Sequence, residues 1–311
     1  MKKLLLFCCC ALLIFNCKEK QNEQLEKKQQ EKKQEEKEST NLNFSHNEYR
    51  LWCGIFEADS VNYENEGNWS IRNRITLVIK SFDNNNTIEG YSVTAGNIRP
   101  FKGDIIMTGK SIYVIANEPG DHKYDGTFKF NISDNQDSIY GIWISKRKDL
   151  PVLSRKFSLK KTEFNYNPNN ILTPINNVYD DDDFDDEGNV DWVNSKKSKI
   201  DDMDEEEYFS YVNRVASNQI YKINGSTQKL TEKQLKNLHK LDLEIIRNTI
   251  YARHGYTFAN RGARQFFDNV DWYVPLFVSV ENKLTPLEKE NIAILKRFEK
   301  YATDNYQQFG R

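Results

Sequence analysis

Between about Tyr49 and Lys161 the chain contains a series of short segments in which apolar and polar residues alternate, and this series most constrains the fold. Such alternation is typical of strands that bury one face. Turn-forming residues separate the segments, as in the sequence Glu118-Pro119-Gly120-Asp121. The predicted strands are residues 51–56, 71–80, 87–93, 104–107, 111–116, 126–132, 138–145 and 155–159. Because no helical segment intervenes, the strands should pair with their sequence neighbours as an antiparallel β-barrel or sandwich.

Several predicted strands carry a glycine beside an aromatic or aliphatic residue, namely Gly54, Gly90, Gly126 and Gly141. Glycine at such positions permits the tight coil of a small barrel. The arrangement resembles lipocalin-like and avidin-like barrels, and this resemblance implies an interior that can hold a small ligand. In the alternative interpretation the protein's own side chains fill the barrel, with Trp52 and Trp143 in its core.

The chain begins with features of an exported lipoprotein. Residues 1–16 are predicted to be a signal peptide, because two lysines precede an apolar run that is too short to span a bilayer as a helix. The run ends in Leu13-Ile14-Phe15-Asn16-Cys17, which resembles a lipobox, although Phe15 and Asn16 replace the small residues usual there. The resemblance implies acyl chains on Cys17 that anchor the protein in a membrane. We therefore expect a cell-envelope location, at the outer membrane.

Residues 17–45 comprise this cysteine and a stretch dominated by lysine, glutamate and glutamine, which is predicted to be a tether because it cannot build a packed core. Cys53 is the only cysteine downstream of Cys17. With Cys17 acylated, no internal disulfide is possible, so the fold must be held by packing.

Length and charge limit the function classes. A chain of 311 residues is expected to contain more than one domain, and we divide it into a β domain at 46–162, an Asn/Pro- and Asp-rich linker at 163–203 and a mostly α-helical domain at 204–311. Together these predict an α+β protein. Lysine and arginine total 44 against 46 acidic residues, so no basic excess is present and a nucleic-acid partner is not expected.

The acidic run in the predicted linker partly matches a calcium-binding loop. The ligands at loop positions one, three, five and nine would be Asp183, Asp185, Glu187 and Asp191. The match fails at position twelve, where Asn194 stands in place of a bidentate glutamate. Acidic runs are more commonly solvated linkers, so calcium is the only cofactor considered and not the favoured one.

Helical periodicity is predicted in the C-terminal third. A short helix is expected where four residues share one face: Tyr208, Tyr211, Val212 and Val215. Further helices should begin after Thr231, at Asp242 and at Thr285, where the sequence Thr285-Pro286-Leu287-Glu288 combines an N-cap with a proline in the first turn. Gly255 stands where the C-terminal cap of the second of these helices belongs.

The segment Tyr251-Ala252-Arg253-His254-Gly255-Tyr256 and the aromatic residues downstream of it resemble the YARHG domain over about 230–301. This resemblance implies a small extracytoplasmic bacterial domain without an established reaction.

Two interpretations of the motif are open. Arg253 and His254 lie at a predicted helix C-terminus and could hold an anionic group such as a glycan carboxylate or a phosphate. In the structural alternative, Arg253 stacks on Trp272 or Tyr273 and His254 caps helix carbonyls. The candidate ligand-binding or structural residues are Tyr251, Arg253, His254, Gly255, Trp272 and Tyr273.

No nucleophile motif, metal-ligand spacing, Walker loop or dinucleotide fingerprint is present, so a non-enzymatic protein is favoured. The acidic residues Glu118, Asp121 and Asp125 could act as acid and base on glycans, but they flank an ordinary turn. We therefore expect an envelope lipoprotein that binds cell-wall, glycan or protein partners. The alternatives are a carrier with a small ligand inside the barrel and an envelope hydrolase.

Overall fold

The computed structural model describes residues 50–65, 67, 69–82, 86–108, 111–174, 189–199 and 209–307. Several predictions lie outside these residues: the signal peptide, Cys17, the tether at 17–45 and the calcium-loop residues Asp183, Asp185 and Glu187. Within the described part, none of the helices combines the length and the apolar character needed to cross a bilayer.

Eight antiparallel strands form a closed barrel in which each strand pairs with its sequence neighbour and β8 pairs with β1. The strands are β1 Arg50–Val61, β2 Arg72–Phe82, β3 Thr87–Thr94, β4 Asn97–Thr108, β5 Ser111–Asn117, β6 Gly126–Ile132, β7 Ser138–Ser145 and β8 Val152–Thr162. Every predicted strand overlaps one of them, so the antiparallel meander is confirmed. The pairing of β1 with β8 makes it a barrel and not a sandwich.

Aromatic side chains fill the barrel interior. The buried cluster includes Trp52, Phe56, Phe101, Phe128, Phe130, Trp143 and Phe157. The ring of Phe56 lies 6.5 Å from that of Phe128 and 6.0 Å from that of Trp143. Glycine makes room for this packing, because a Cβ at Gly126 would lie 2.3 Å from the Trp143 ring. Burial of such side chains contributes about 1.5–3 kcal/mol each to folding, so the barrel has its own packed core.

The C-terminal part combines a small sheet with helices, which gives the α+β class that the sequence predicts. The sheet has the order β11-β10-β9, with β9 Val190–Lys199, β10 Phe209–Val215 and β11 Tyr306–Gln307. A 3₁₀ helix at Asn218–Tyr221 precedes four helices. These are α1 Glu232–Leu235, α2 Lys240–Arg253, α3 Arg261–Phe267 and α4 Pro286–Glu299.

The predicted helix over residues 208–215 is wrong, because most of this segment forms β10. The segment is too short for its spacing to distinguish a helix from a strand, and valine and tyrosine favour strands when a partner is available. The partner is β9, in which Lys196 pairs with Val212 and Asp191 pairs with Arg214. Strand β9 lies within the range predicted as a linker. Its charged and polar residues did not give the alternating pattern by which the barrel strands were predicted.

The helix-terminal predictions are confirmed in three of four places. Thr231 is the N-cap of α1, and its backbone N–H donates to Gln234 Oε1 at 3.0 Å. Thr285 Oγ1 accepts from the Glu288 backbone N–H at 3.2 Å, and Glu288 Oε2 accepts from the Thr285 N–H at 2.9 Å, which completes a capping box. Gly255 follows α2 with a φ of +75°. Asp242 is not the N-cap of α2, however, because that position is taken by His239, whose backbone N–H donates to Asp242 Oδ2.

The barrel contacts the helical part through β1 and β2. Arg74 on β2 donates to the backbone oxygens of Asp268 and Asp271 at 3.3 and 3.0 Å. The Sγ of Cys53 on β1 lies 3.9 Å from the Tyr273 carbonyl oxygen. Both contacts join residues about 200 positions apart in the sequence, so the YARHG-like segment packs directly against the barrel.

Candidate functional site

The pentapeptide Tyr251-Ala252-Arg253-His254-Gly255 forms the last turn and the C-terminus of α2. Gly255 N–H donates to Ala252 O at 2.9 Å, and Tyr256 N–H donates to Tyr251 O at 3.1 Å. These two bonds form a Schellman motif, which requires a left-handed residue at the position of Gly255.

Gly255 also binds a neighbouring segment. Its carbonyl oxygen accepts from the backbone N–H groups of Leu276 and Phe277 at 2.8 and 2.9 Å. A Cβ at this position would lie 3.1 Å from the Phe164 ring and 3.2 Å from Val274 O. Glycine is therefore required both by the backbone conformation and by close packing.

Arg253 is 3% exposed, and its guanidinium binds two segments that are distant in sequence. Its Nε donates to Asn170 O at 2.7 Å, and its Nη1 donates to Ser226 Oγ at 3.1 Å. Burial lowers the pKa of Arg253 to about 10, against the attraction of Glu288. The guanidinium thus stabilises the chain around Asn170, and the predicted stacking on Trp272 or Tyr273 is replaced by hydrogen bonds.

His254 is 4% exposed and belongs to a buried polar triad with Glu288 and Tyr166. The His254 Nε2 lies 2.8 Å from Glu288 Oε2, and the Tyr166 hydroxyl donates to Glu288 Oε1 at 3.0 Å. The Tyr166 ring stacks on the imidazole with centroids 4.3 Å apart. Burial acts to raise the pKa of Glu288, but hydrogen bonds from His254, Ser226 and the Thr285 backbone outweigh it and lower the pKa to about 2.

The aromatic residues Trp272 and Tyr273 also make structural contacts. Trp272 Nε1 donates to Ile171 O at 2.8 Å, close in sequence to the Asn170 oxygen that Arg253 binds. Tyr273 is buried, and its hydroxyl donates to Tyr256 O at 2.7 Å. Burial raises the pKa of Tyr273 well above its usual value. The side chains of four candidate residues are therefore engaged within the protein, and Gly255 is fixed through its backbone.

Tyr251 differs from these five because it lines an open cleft of about 730 Å³. The cleft lies between α2, α3, the start of β9 and the segments at 256–260 and 278–281. Its aromatic lining consists of Tyr251, Tyr256, Phe258, Phe266 and Phe267. Among the described residues, no hydrogen bond engages the hydroxyl of Tyr251 or that of Tyr256.

The charged side chains of the cleft are mostly paired. Arg214 binds Asp191 at 3.2 Å, Glu244 at 2.8 Å and Asp304 at 2.9 Å. Burial opposes the charge of Arg214, but its hydrogen bonds to Asp304 and Glu244 raise its pKa.

A second cation of the cleft, Arg247, binds Glu299 at 2.6 Å. Glu281 is exposed at the cleft and has no ion-pair partner in the described part of the chain. The cleft therefore carries no uncompensated cation from the side chains that line it.

The acidic residues considered for catalysis lie at one end of the barrel in hydrogen bonds. Glu118 accepts from Ser92 Oγ at 3.0 Å, from Gly126 N–H at 2.7 Å and from Trp143 Nε1 at 3.0 Å. Burial raises the pKa of Glu118.

Asp125 accepts from Arg99, which also pairs with Asp121. Burial opposes the charge of Asp125, but the Arg99 hydrogen bonds lower its pKa. These contacts stabilise the turn between β5 and β6.

Asp191 is the one predicted calcium ligand within the described residues. Its Oδ1 accepts from the backbone N–H groups of Val193 and Asn194 and from Gln265 Nε2, and its Oδ2 accepts from Arg214. Across the residues that the structure covers, no group of three or more His, Cys, Asp or Glu side chains is arranged to hold a metal ion.

A cluster of arginines surrounds Asp268 where the barrel meets α3. Asp268 is buried, and its Oδ2 has no hydrogen-bond partner within the described part. Arg74, Arg155 and Arg264 attract its charge, but burial outweighs them and raises the pKa of Asp268 to about 7. Sequence reasoning did not identify this cluster, because its members come from β2, β8 and α3.

The sequence contains no signal for several other residues of the cleft, since Asn248, Ser279 and Glu281 belong to no motif. Glu288 was predicted from the sequence to belong to the N-terminal cap of α4, and this prediction is confirmed. The cap sequence contains no information about the pairing of Glu288 with His254.

Comparison with known families gives one match: residues 219–300 match the YARHG domain. The match confirms the resemblance of the C-terminal part, and it covers the pentapeptide and all four helices but not the barrel. It characterises this part as a module of unknown function. A search of curated proteins found no match.

Proposed function

We propose that the protein is a lipid-anchored lipoprotein of the cell envelope whose C-terminal module binds an envelope component through the cleft beside Tyr251. The lipobox-like sequence ending at Cys17 and the charged tether support the anchor. Acyl chains on this cysteine would hold the protein at the outer membrane, and the tether would place the folded part away from the lipid surface.

The observation that carries the proposal is the cleft itself. Its volume of about 730 Å³ falls in the range of ligand sites, roughly 300–1,000 Å³. Aromatic rings and hydrogen-bonding groups converge in it, which is the usual composition of such sites.

The rest of the motif supports the cleft by fixing one of its walls, helix α2. Arg253 and His254 bind the C-terminal end of this helix to the segment around Asn170 and to α4, which lie outside the cleft. Side chains locked in this way hold neighbouring ligand contacts in one geometry, which lowers the entropy cost of binding. This role explains why the motif combines two buried polar residues with one tyrosine at a cleft.

The other functions considered have weaker support. A ligand carrier requires space inside the barrel, and aromatic side chains such as Trp52 and Phe128 occupy the interior. A hydrolase of the kind considered requires two carboxylates that can reach a substrate. Glu118 and Asp125 are buried in hydrogen bonds to the protein, and the exposed Asp121 is paired with Arg99.

The proposal is tested by cosedimentation of the purified full chain, carrying Cys17→Ser so that no acyl chain contributes, with peptidoglycan sacculi and with outer-membrane vesicles. Ser279→Trp places a bulky ring at the exposed edge of the cleft and should abolish retention. Ser158→Trp, at an exposed position on β8, is the matched control and should bind normally. Equal retention of the two variants would contradict a role for the cleft.

The anchor is tested separately. Mass spectrometry of the native protein should find acyl chains on Cys17, and Cys17→Ser should move the protein from the membrane to the soluble fraction. An unmodified cysteine in the membrane-associated protein would contradict the proposed attachment.

A further inference from the structure

We infer that the cleft takes an uncharged saccharide, bound by hydroxyl and amide groups with a sugar ring against the partly exposed Tyr256. The inference rests on the proposed function, because it names the class of ligand for the same cleft.

The charges of the cleft exclude anionic ligands. An anionic polymer needs arginine or lysine side chains that are free to pair with it. Both arginines that line the cleft are already paired, Arg214 with three carboxylates and Arg247 with Glu299. Glu281 adds an unpaired negative charge at the edge. A phosphate or carboxylate in the cleft would therefore be repelled.

The cleft also contains neutral hydrogen-bonding groups that are available to a ligand. The Tyr251, Tyr256 and Ser279 hydroxyls and the amide Nδ2 atoms of Asn248 and Asn260 are engaged in no hydrogen bond with the described residues. All five groups line the cleft, and all are neutral. Hydroxyl and amide groups match the hydroxyl and acetamido groups of sugars, which both donate and accept.

Three aromatic rings of the cleft lie close to one another. The Tyr256 ring lies 5.8 Å from that of Tyr251 and 5.1 Å from that of Phe258. The second pair is nearly perpendicular, at 86°, and Phe258 is buried, whereas Tyr256 is partly exposed. A sugar ring has an apolar face of C–H groups and a polar rim, and the ring and hydroxyl of Tyr256 can contact both.

The cleft is tested with calorimetric titrations of the purified full chain. The neutral probes are N-acetylated chitotriose and maltotriose, and the charged probes are deacetylated chitotriose, which is cationic, and trigalacturonate, which is anionic. We expect at least one neutral trisaccharide to bind with an affinity that is insensitive to salt, because no ion pair contributes.

The contact residues are tested by removing one hydroxyl at a time. Tyr251→Phe and Tyr256→Phe should each weaken binding up to about tenfold, since each removes one hydrogen bond to the ligand. Neither variant leaves a protein group unpaired. Tyr140→Phe, at an exposed position on β7, is the matched control and should bind as the unaltered protein does.

Two results would overturn the inference. Tighter binding of the deacetylated trisaccharide that falls with rising salt would make the cleft a site for amines. The absence of binding by both neutral probes, with retention on sacculi still lost in Ser279→Trp, would exclude a saccharide while leaving the proposed function standing. Equal retention of Ser279→Trp and Ser158→Trp in the cosedimentation experiment would instead refute the proposed function.

Discussion

The imidazole Nε2 of His254 lies 2.8 Å from the carboxylate Oε2 of Glu288, so the residue that caps the end of α2 is bound to the third residue of α4. The same Oε2 accepts from the Thr285 backbone N–H, and Oε1 accepts from the Tyr166 hydroxyl. One buried carboxylate therefore caps a helix, pairs with the motif histidine and binds the segment that follows the barrel.

Replacement of this carboxylate should destabilise the C-terminal module. The pKa of Glu288 falls from 4.5 to about 2 on folding, which corresponds to up to about 3 kcal/mol of stabilisation at neutral pH. Glu288→Gln removes the charge and should lower the free energy of unfolding by up to that amount, measured by urea denaturation at pH 7. The exposed control Glu290→Gln should change it by less than about 0.5 kcal/mol. Equal effects of the two variants would show that the triad does not stabilise the fold.

The same carboxylate predicts a loss of stability in acid. Because its folded pKa is below its unfolded value of 4.5, its contribution is present above pH 4.5 and is lost as the pH falls towards 2. The difference in unfolding free energy between the unaltered protein and Glu288→Gln should therefore shrink across this range. A difference that is constant from pH 6 to pH 2.5 would contradict the assignment.

Gly255 should tolerate no larger residue without cost. Gly255→Ala forces a Cβ into the left-handed region and against the Phe164 ring, which should cost about 1–2 kcal/mol of stability. Gly255→Asn should cost less than alanine, because asparagine adopts this region more readily. Thermal unfolding of both variants measures which of them is less stable. A Gly255→Ala variant as stable as the unaltered protein would contradict the prediction.

Asp268 should produce the opposite pH dependence to Glu288. Its folded pKa of about 7 is above the ordinary 3.8, so the stability it contributes is present at low pH and is lost as the pH rises from about 4 to 7. Relative to Asp268→Asn, the unaltered protein should lose up to about 4 kcal/mol over this window. Chemical denaturation at pH 4, 5.5, 7 and 8.5 measures the difference between the two. A gain in stability of the unaltered protein relative to Asp268→Asn as the pH rises would indicate that Arg74, Arg155 and Arg264 hold the carboxylate ionised.

The amino-acid sequence alone determined the local features of this protein. Alternation of apolar and polar residues located all eight barrel strands, because adjacent side chains of a strand point to opposite faces of the sheet. Thr285 and Glu288 identified the start of α4, and Gly255 identified the end of α2, because these caps are formed by residues only a few positions apart. The pentapeptide identified the YARHG region for the same reason.

Tertiary structure decided the features that join distant residues. Residues 208–215 carry a helical spacing, yet β9 supplies a partner and most of the segment becomes β10. Arg253 binds Asn170, 83 positions away, and His254 binds Glu288, 34 positions away. Arg253 and His254 of the motif thus became buried supports, and Tyr251, itself only 8% exposed, became the one that lines the cleft. A side chain's exposure depends on which distant segments pack against it, and that is set by the packing of the whole unit and not by its neighbours in sequence.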